Sequence, residues 1–167
     1  FLDQIEIKLP MNEWAGIKQN QRFFVSAKTL NGREDEDNVD NILFSTVQIP
    51  KVFPNQFNFN LKTNNLGRAK ENKYEIRDYK GNVYYSDYNL IDSTNYNIPI
   101  YLEPGLYRFI FSDSAENGID RLWWHQKDSV GISGKIEFHD SNNNLIKRFS
   151  PDFGQEVTMD FIVGSLP

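Results

Sequence analysis

The chain contains no cysteine, and that one absence removes disulfide bridges, thiolate nucleophiles and cysteine-ligated zinc together. No apolar run approaches the roughly 18 residues of a membrane-spanning helix, and the opening twenty or so residues carry no signal-peptide pattern. A basic block is also missing. The 18 Lys and Arg are outnumbered by 23 Asp and Glu, giving a net charge of −5 spread along the chain, so the electrostatic footprint of a nucleic-acid binder is absent and nucleic acid is disfavoured as a partner. There is no G-x-S-x-G elbow, P-loop or GxGxxG fingerprint. The two histidines, His125 and His139, have no HxH or HExxH spacing that would suit a metallohydrolase. No long stretch repeats apolar residues at i, i+3, i+4 and i+7, so no amphipathic helix is expected.

What is present is β pattern. Aromatic residues make up 14% of the 167 and supply large buried areas per side chain, which suits a chain long enough to bury a core. Asparagine is frequent, 19 residues, gathering with Asp and Gly between apolar runs. Such residues accept left-handed backbone and form Asx turns. Alternation typical of half-buried strands marks 2–9, 23–30 and 42–49, with the acidic stretch NGREDEDNVDN at 31–41 read as a solvated loop. The prolines of PKVFPN (50–55) mark a stiff extended connector and a boundary. Beyond it, strands are expected at 56–63, 73–78, 82–87, 95–102, 106–113, 134–140, 144–150 and 156–164, punctuated by YKGN at 79–82, EPG at 103–105 and HDSNNN at 139–144.

These signals predict an all-β protein, an antiparallel two-sheet sandwich of jelly-roll type over 51–167, preceded over 1–50 by a partial immunoglobulin-like β segment or added strands. Pro99 inside a strand places that strand at an edge or a bulge. The chain opens at Phe1 within strand pattern, which suggests a mature segment whose targeting signals lie elsewhere.

Between the strands at 106–113 and 134–140 lies DSAENGIDRLWWHQKDSVG (113–131). Adjacent residues of an extended segment point to opposite faces, so one of Trp123 and Trp124 enters the core while the other faces out. An exposed indole flanked by His125, Gln126 and Asp128 is a platform on which the apolar face of a sugar stacks with polar groups beside it. The other reading is a structural plug in which both indoles close the sandwich. Asp113, Glu116, Asn117 and Asp120 surround a glycine within the same loop and offer oxygen ligands of the kind calcium takes. Ala115 occupies the third ligand position of the EF-hand template, and Asx hydrogen bonds that cap the preceding strand are the alternative. No other cofactor is indicated. Paired carboxylates converging from separate strands would make a hydrolase, but no local motif indicates one, and the chain reads as non-enzymatic.

The succession TNNLG (63–67), YEIRDYKGNVYY (74–85), Thr94 and Tyr96, LEPGLYRFIFSDSAENGIDRLWW (102–124), GKIEF (134–138) and KRFSPDFGQEVTMDFIV (147–163) resembles a β-sandwich module of secreted Bacteroidetes proteins. That module is the downstream, non-catalytic part of peptide-N-glycosidase F-like and other type IX-secreted or surface-displayed proteins. The resemblance implies a secreted or cell-surface accessory module of a glycan-processing protein, with neighbouring domains of the same chain and a glycan or glycoprotein as partners. It carries over no catalytic residue. Glu116, Asn117 and Gly118 stand where such proteins usually have a glycine-aspartate-glycine turn, which weakens a metal site there. A purely structural spacer or adhesion domain is the competing expectation.

Overall fold

A computed structural model of the chain describes residues 20, 22–26, 29–30, 33–34, 42–46, 48–121 and 131–164. The chain divides after Ile49 into two compact units. In the first, β1 (Arg22–Ser26) pairs antiparallel with β4 (Ile42–Thr46), with Phe24 opposite Phe44, and the short strands β2 (Thr29–Leu30) and β3 (Arg33–Glu34) form a second antiparallel pair. Arg33–Glu34 fall inside the stretch read from sequence as loop. Thr29 lies opposite Glu34 and Leu30 opposite Arg33.

The second unit is all-β, with two sheets and no α-helix among its described residues. Its strands are β5 (Lys51–Phe53), β6 (Gln56–Lys62), β7 (Asn72–Asp78), β8 (Val83–Asp87), β9 (Asn95–Tyr101), β10 (Gly105–Asp113), β11 (Lys135–Asp140), β12 (Leu145–Phe149) and β13 (Glu156–Val163). One sheet has the order β5-β13-β10-β7-β8 and the other β12-β11-β6-β9. All pairings in this unit are antiparallel except β5 with β13. The segment KVFPN was expected as a bare connector. Instead Lys51–Phe53 pair in parallel with Phe161–Val163, and Phe53 is fully buried. Its side chain lies edge-on to Phe57 with ring centroids 5.1 Å apart, so burial of one large ring holds a three-residue strand between two prolines.

Alternation explains why these strands form two layers. In QFNFNLK the apolar Phe57, Phe59 and Leu61 are buried while Asn58 and Asn60 point the other way, as the period of two requires. Ile76 of β7, Ile100 of β9, Phe109 and Phe111 of β10, Ile136 and Phe138 of β11, Phe161 of β13 and the loop residue Ile119 are among the other large fully buried side chains. Phe138 sits 4.9 Å from Phe109 and 5.3 Å from Phe59, ring centroid to ring centroid, so the layers interlock through aromatic contacts. Removing such a ring, as in Phe138→Ala, costs about 3–5 kcal/mol.

β9 lies at an edge, as Pro99 requires. That edge is partly closed by Tyr85 of the other sheet, whose hydroxyl accepts from the Tyr101 N–H at 2.9 Å and donates to the Tyr101 carbonyl at 3.3 Å.

Three turns share one device, written D-x-x-x-N. In Asp78–Asn82, Asp113–Asn117 and Asp140–Asn144 the aspartate carboxylate accepts the N–H groups of the residues two and four positions on. The fourth residue of each, Gly81, Glu116 and Asn143, has positive φ. In the two hairpins the terminal asparagine amide also donates to the aspartate, and that bond is the main cause holding the Asp78 and Asp140 carboxyls below their ordinary range.

Candidate functional site

Trp123, Trp124, His125, Gln126 and Asp128 lie outside the described residues. The described residues on either side, 119–121 and 131–134, are firmly tied. Asp120 Oδ1 accepts the Arg121 N–H at 2.7 Å and the Ser133 hydroxyl at 2.5 Å, Asn65 Oδ1 accepts the Ile132 N–H at 2.6 Å, and the Gly134 N–H donates to the Ile119 carbonyl at 2.7 Å. Just upstream, Gly118 passes so close to the 150–155 turn that a Cβ there would stand 2.5 Å from the Pro151 carbonyl oxygen.

The four oxygen-bearing residues proposed for calcium are engaged separately. Asp113 is buried, and its two carboxylate oxygens accept the Ala115 and Asn117 N–H groups. Asn117 Oδ1 accepts from Arg68, Asp120 holds Ser133, and Glu116 is exposed at positive φ. Among the described residues no three His, Asp or Glu converge as metal ligands. The Asx alternative accounts for the observed bonds of Asp113.

A site that sequence reasoning missed lies on the outer face of the four-stranded sheet. The alternation that buries Phe57, Phe59 and Leu61 turns Gln56, Asn58, Asn60 and Lys62 outward. On β9 it turns out Asn95, Asn97, Pro99 and Tyr101, and on β11 Lys135, Glu137 and His139. Register sets these side chains in rows. Lys135 faces Lys62, which faces Asn95. Arg148 faces Glu137, then Asn60, then Asn97. His139 faces Asn58, then Pro99, and Gln56 faces Tyr101. Five amides thus occupy one sheet face, although asparagine is a poor strand former.

Among the described residues none of these five amide side chains hydrogen-bonds to another protein group. Asn60 Oδ1 is buried and unpartnered. Tyr101, at the far end of the rows, is 60% exposed. Two recesses flank the rows. One of about 200 Å³ is lined by Gln56, Asn58, Pro99, Tyr101 and Ser141 among others, and one of about 220 Å³ by Asn60, Lys62, Asn95, Asn97 and Lys135 among others.

Glu137 is the electrostatic centre of this face. It is 1% exposed, and it is ringed by Lys135 Nζ at 3.0 Å, His139 Nε2 at 2.9 Å and Arg148 Nε, which donates to Oε1. Burial alone would raise its carboxyl, but hydrogen bonds from His139, Lys135 and Arg148 outweigh that and hold it at about 2. A carboxylate so thoroughly neutralised is a structural tie, unsuited to abstracting or delivering protons near neutral pH. It is also the one carboxylate among these face positions, so the paired acids of a glycosidase are not assembled there.

Two other concavities carry acids. A cavity of about 410 Å³ on the five-stranded sheet includes Asp78 and Asp160 in its lining. Asp78 is committed to its turn and Asp160 to Arg108, with Nε donating at 2.6 Å and Nη2 at 2.9 Å. A cavity of about 430 Å³ at the loop end is lined by Glu71, Lys73, Ser112, Asp113 and Glu156 among others. Glu71 Oε2 and Ser112 Oγ are buried there without partners.

The chain matches no family model, no curated protein and no solved structure.

Proposed function

We propose that the second unit is a non-catalytic glycan-binding module and that the outer face of β6, β9 and β11 is its platform. The observation that supports this reading is the register-aligned set of five unpartnered amides bordered by the exposed ring of Tyr101. An amide side chain carries both donors and an acceptor, which is what a ring of sugar hydroxyls requires. An exposed tyrosine offers a flat apolar surface against which a pyranose face packs. The sheet holds these groups on rigid backbone, so little ordering is needed on binding.

Secretion or surface display, attachment to a glycan-processing protein and kinship with the modules of peptide-N-glycosidase F-like proteins belong to the same proposal and rest on the sequence resemblance. So does the jelly-roll description. The connections β6 to β7, β8 to β9, β9 to β10, β10 to β11 and β12 to β13 all change sheet, and that frequent crossing between layers supports it. An immunoglobulin-like origin for the first unit has the antiparallel β1–β4 pair in its favour.

The test is isothermal titration calorimetry against a panel of host and bacterial oligosaccharides, using the wild type, Asn97→Ala and Tyr101→Ala. A bound glycan whose affinity falls on the order of tenfold in each variant, with melting temperatures unchanged, supports the platform. A glycan whose affinity ignores both variants moves the site elsewhere. A module that binds none of the panel is better described as a spacer.

A further inference from the structure

The lysine end of the same face carries a charge feature that the amides do not explain. Lys62 and Lys135 stand directly opposite each other on β6 and β11, and like charges in that position cost stability. Lys135 is tied to Glu137. Lys62 is half-buried and has no ion-pair partner among the described residues. Lys135 and Arg148 both bind the single carboxylate of the face and Lys62 adds a third cation opposite Lys135, so this region is net positive in a chain whose overall charge is −5. The recess lined by Lys62 and Lys135 also holds Asn60, Asn95 and Asn97.

We propose that this end selects saccharides bearing an acidic group, a carboxylate or a sulfate, an inference that rests on the glycan-binding reading above. The free ammonium of Lys62 receives the anion, with Lys135 beside it as a second, shared charge. Lysine acts here as a compact point charge with three donors and accommodates either acid. The Asn60 amide lines the same recess and faces the same sugar. Asn95 and Asn97 contact the neighbouring hydroxyls. Selectivity over neutral sugars then comes from the lysines, and general affinity comes from the amides and Tyr101.

Calorimetry on the whole chain tests this with three probes at low and at high salt: an oligogalacturonate, a heparin-derived oligosaccharide and a neutral galacto-oligosaccharide. At least one acidic probe is expected to bind more tightly than the neutral one, and to weaken as salt screens the exposed charges. Lys62→Gln is expected to reduce that acidic affinity about two- to fivefold, clearly more than it reduces the neutral affinity, and to hold or slightly raise the melting temperature because it removes the Lys62–Lys135 repulsion. Whether the carboxylate or the sulfate probe responds identifies the acid. Equal affinity for acidic and neutral probes, or indifference of the acidic affinity to Lys62→Gln, overturns charge selection and leaves glycan binding standing. Failure of all three probes to bind removes both.

Discussion

Glu137 and Arg148 face each other across the β11–β12 pair, and the guanidinium Nε donates to Oε1 of a carboxylate that is 1% exposed. With Lys135 and His139 on the other oxygen, this relationship makes Glu137 a pH-dependent stabiliser. Its carboxyl sits at about 2, below the ordinary 4.5. A depressed acid contributes fully above its unfolded value, and the contribution shrinks as pH falls and is gone near the folded value. The depression corresponds to roughly 3 kcal/mol at neutral pH. Urea unfolding of Glu137→Gln is therefore expected to show a deficit of that order at pH 7 that closes between pH 4.5 and 2. A deficit that stays constant across that window contradicts the assignment.

Asn60 separates function from stability. Its Oδ1 is buried without a partner and its position is a strand interior. Asn60→Thr is expected to raise stability by up to about 1 kcal/mol, through better strand propensity and one fewer orphaned acceptor, while weakening glycan binding severalfold. Denaturation and calorimetry on the same variant read both. Loss of stability with unchanged binding would make the amide a structural group.

Asp113 is held by the fold alone. Because its two oxygens already accept backbone N–H groups at 2.9 and 3.0 Å, Asp113→Ala orphans buried donors and is expected to cost about 2–3 kcal/mol. The loss in melting temperature should be the same in calcium and in chelator. A calcium-dependent rise in the wild type that the variant abolishes would instead establish the ion site.

Gly118 and Gly81 both have positive φ but differ in surroundings. A Cβ at Gly118 meets the Pro151 carbonyl oxygen at 2.5 Å, whereas nothing lies within 4 Å of one at Gly81. Gly81→Ala is expected to cost about 1–2 kcal/mol from backbone strain alone. Gly118→Ala should exceed it clearly and loosen the base of the 113–131 loop, as chemical denaturation would show. Equal costs would mean that the 150–155 turn yields without penalty.

The strands from β6 to β13 are legible in the sequence because they are short apolar runs, alternating in β6 and β9, set between turn segments rich in Asp, Asn, Gly or Pro. β5 is not, since three residues between two prolines carry no period and their partner strand lies more than a hundred residues on. The amide face was visible locally as QFNFNLK and NYNIPIY, with polar residues at every second position. What was hidden is the register that sets Asn60 between Glu137 and Asn97, because pairing between strands far apart in the chain leaves no local signature. The Trp123–Trp124 pair is conspicuous in one dimension, as adjacent indoles beside a histidine. The candidate face exists only in two.

The most direct measurement is the shift of side-chain amide resonances in ¹⁵N–¹H spectra during titration with the oligogalacturonate, the heparin-derived and the neutral oligosaccharides in turn. The account predicts that the amides of Asn58, Asn60, Asn95 and Asn97 move with at least one of them, together with the backbone of Tyr101. Shifts confined to the 113–131 loop or to the opposite sheet, or no shift with any of the three, would contradict it.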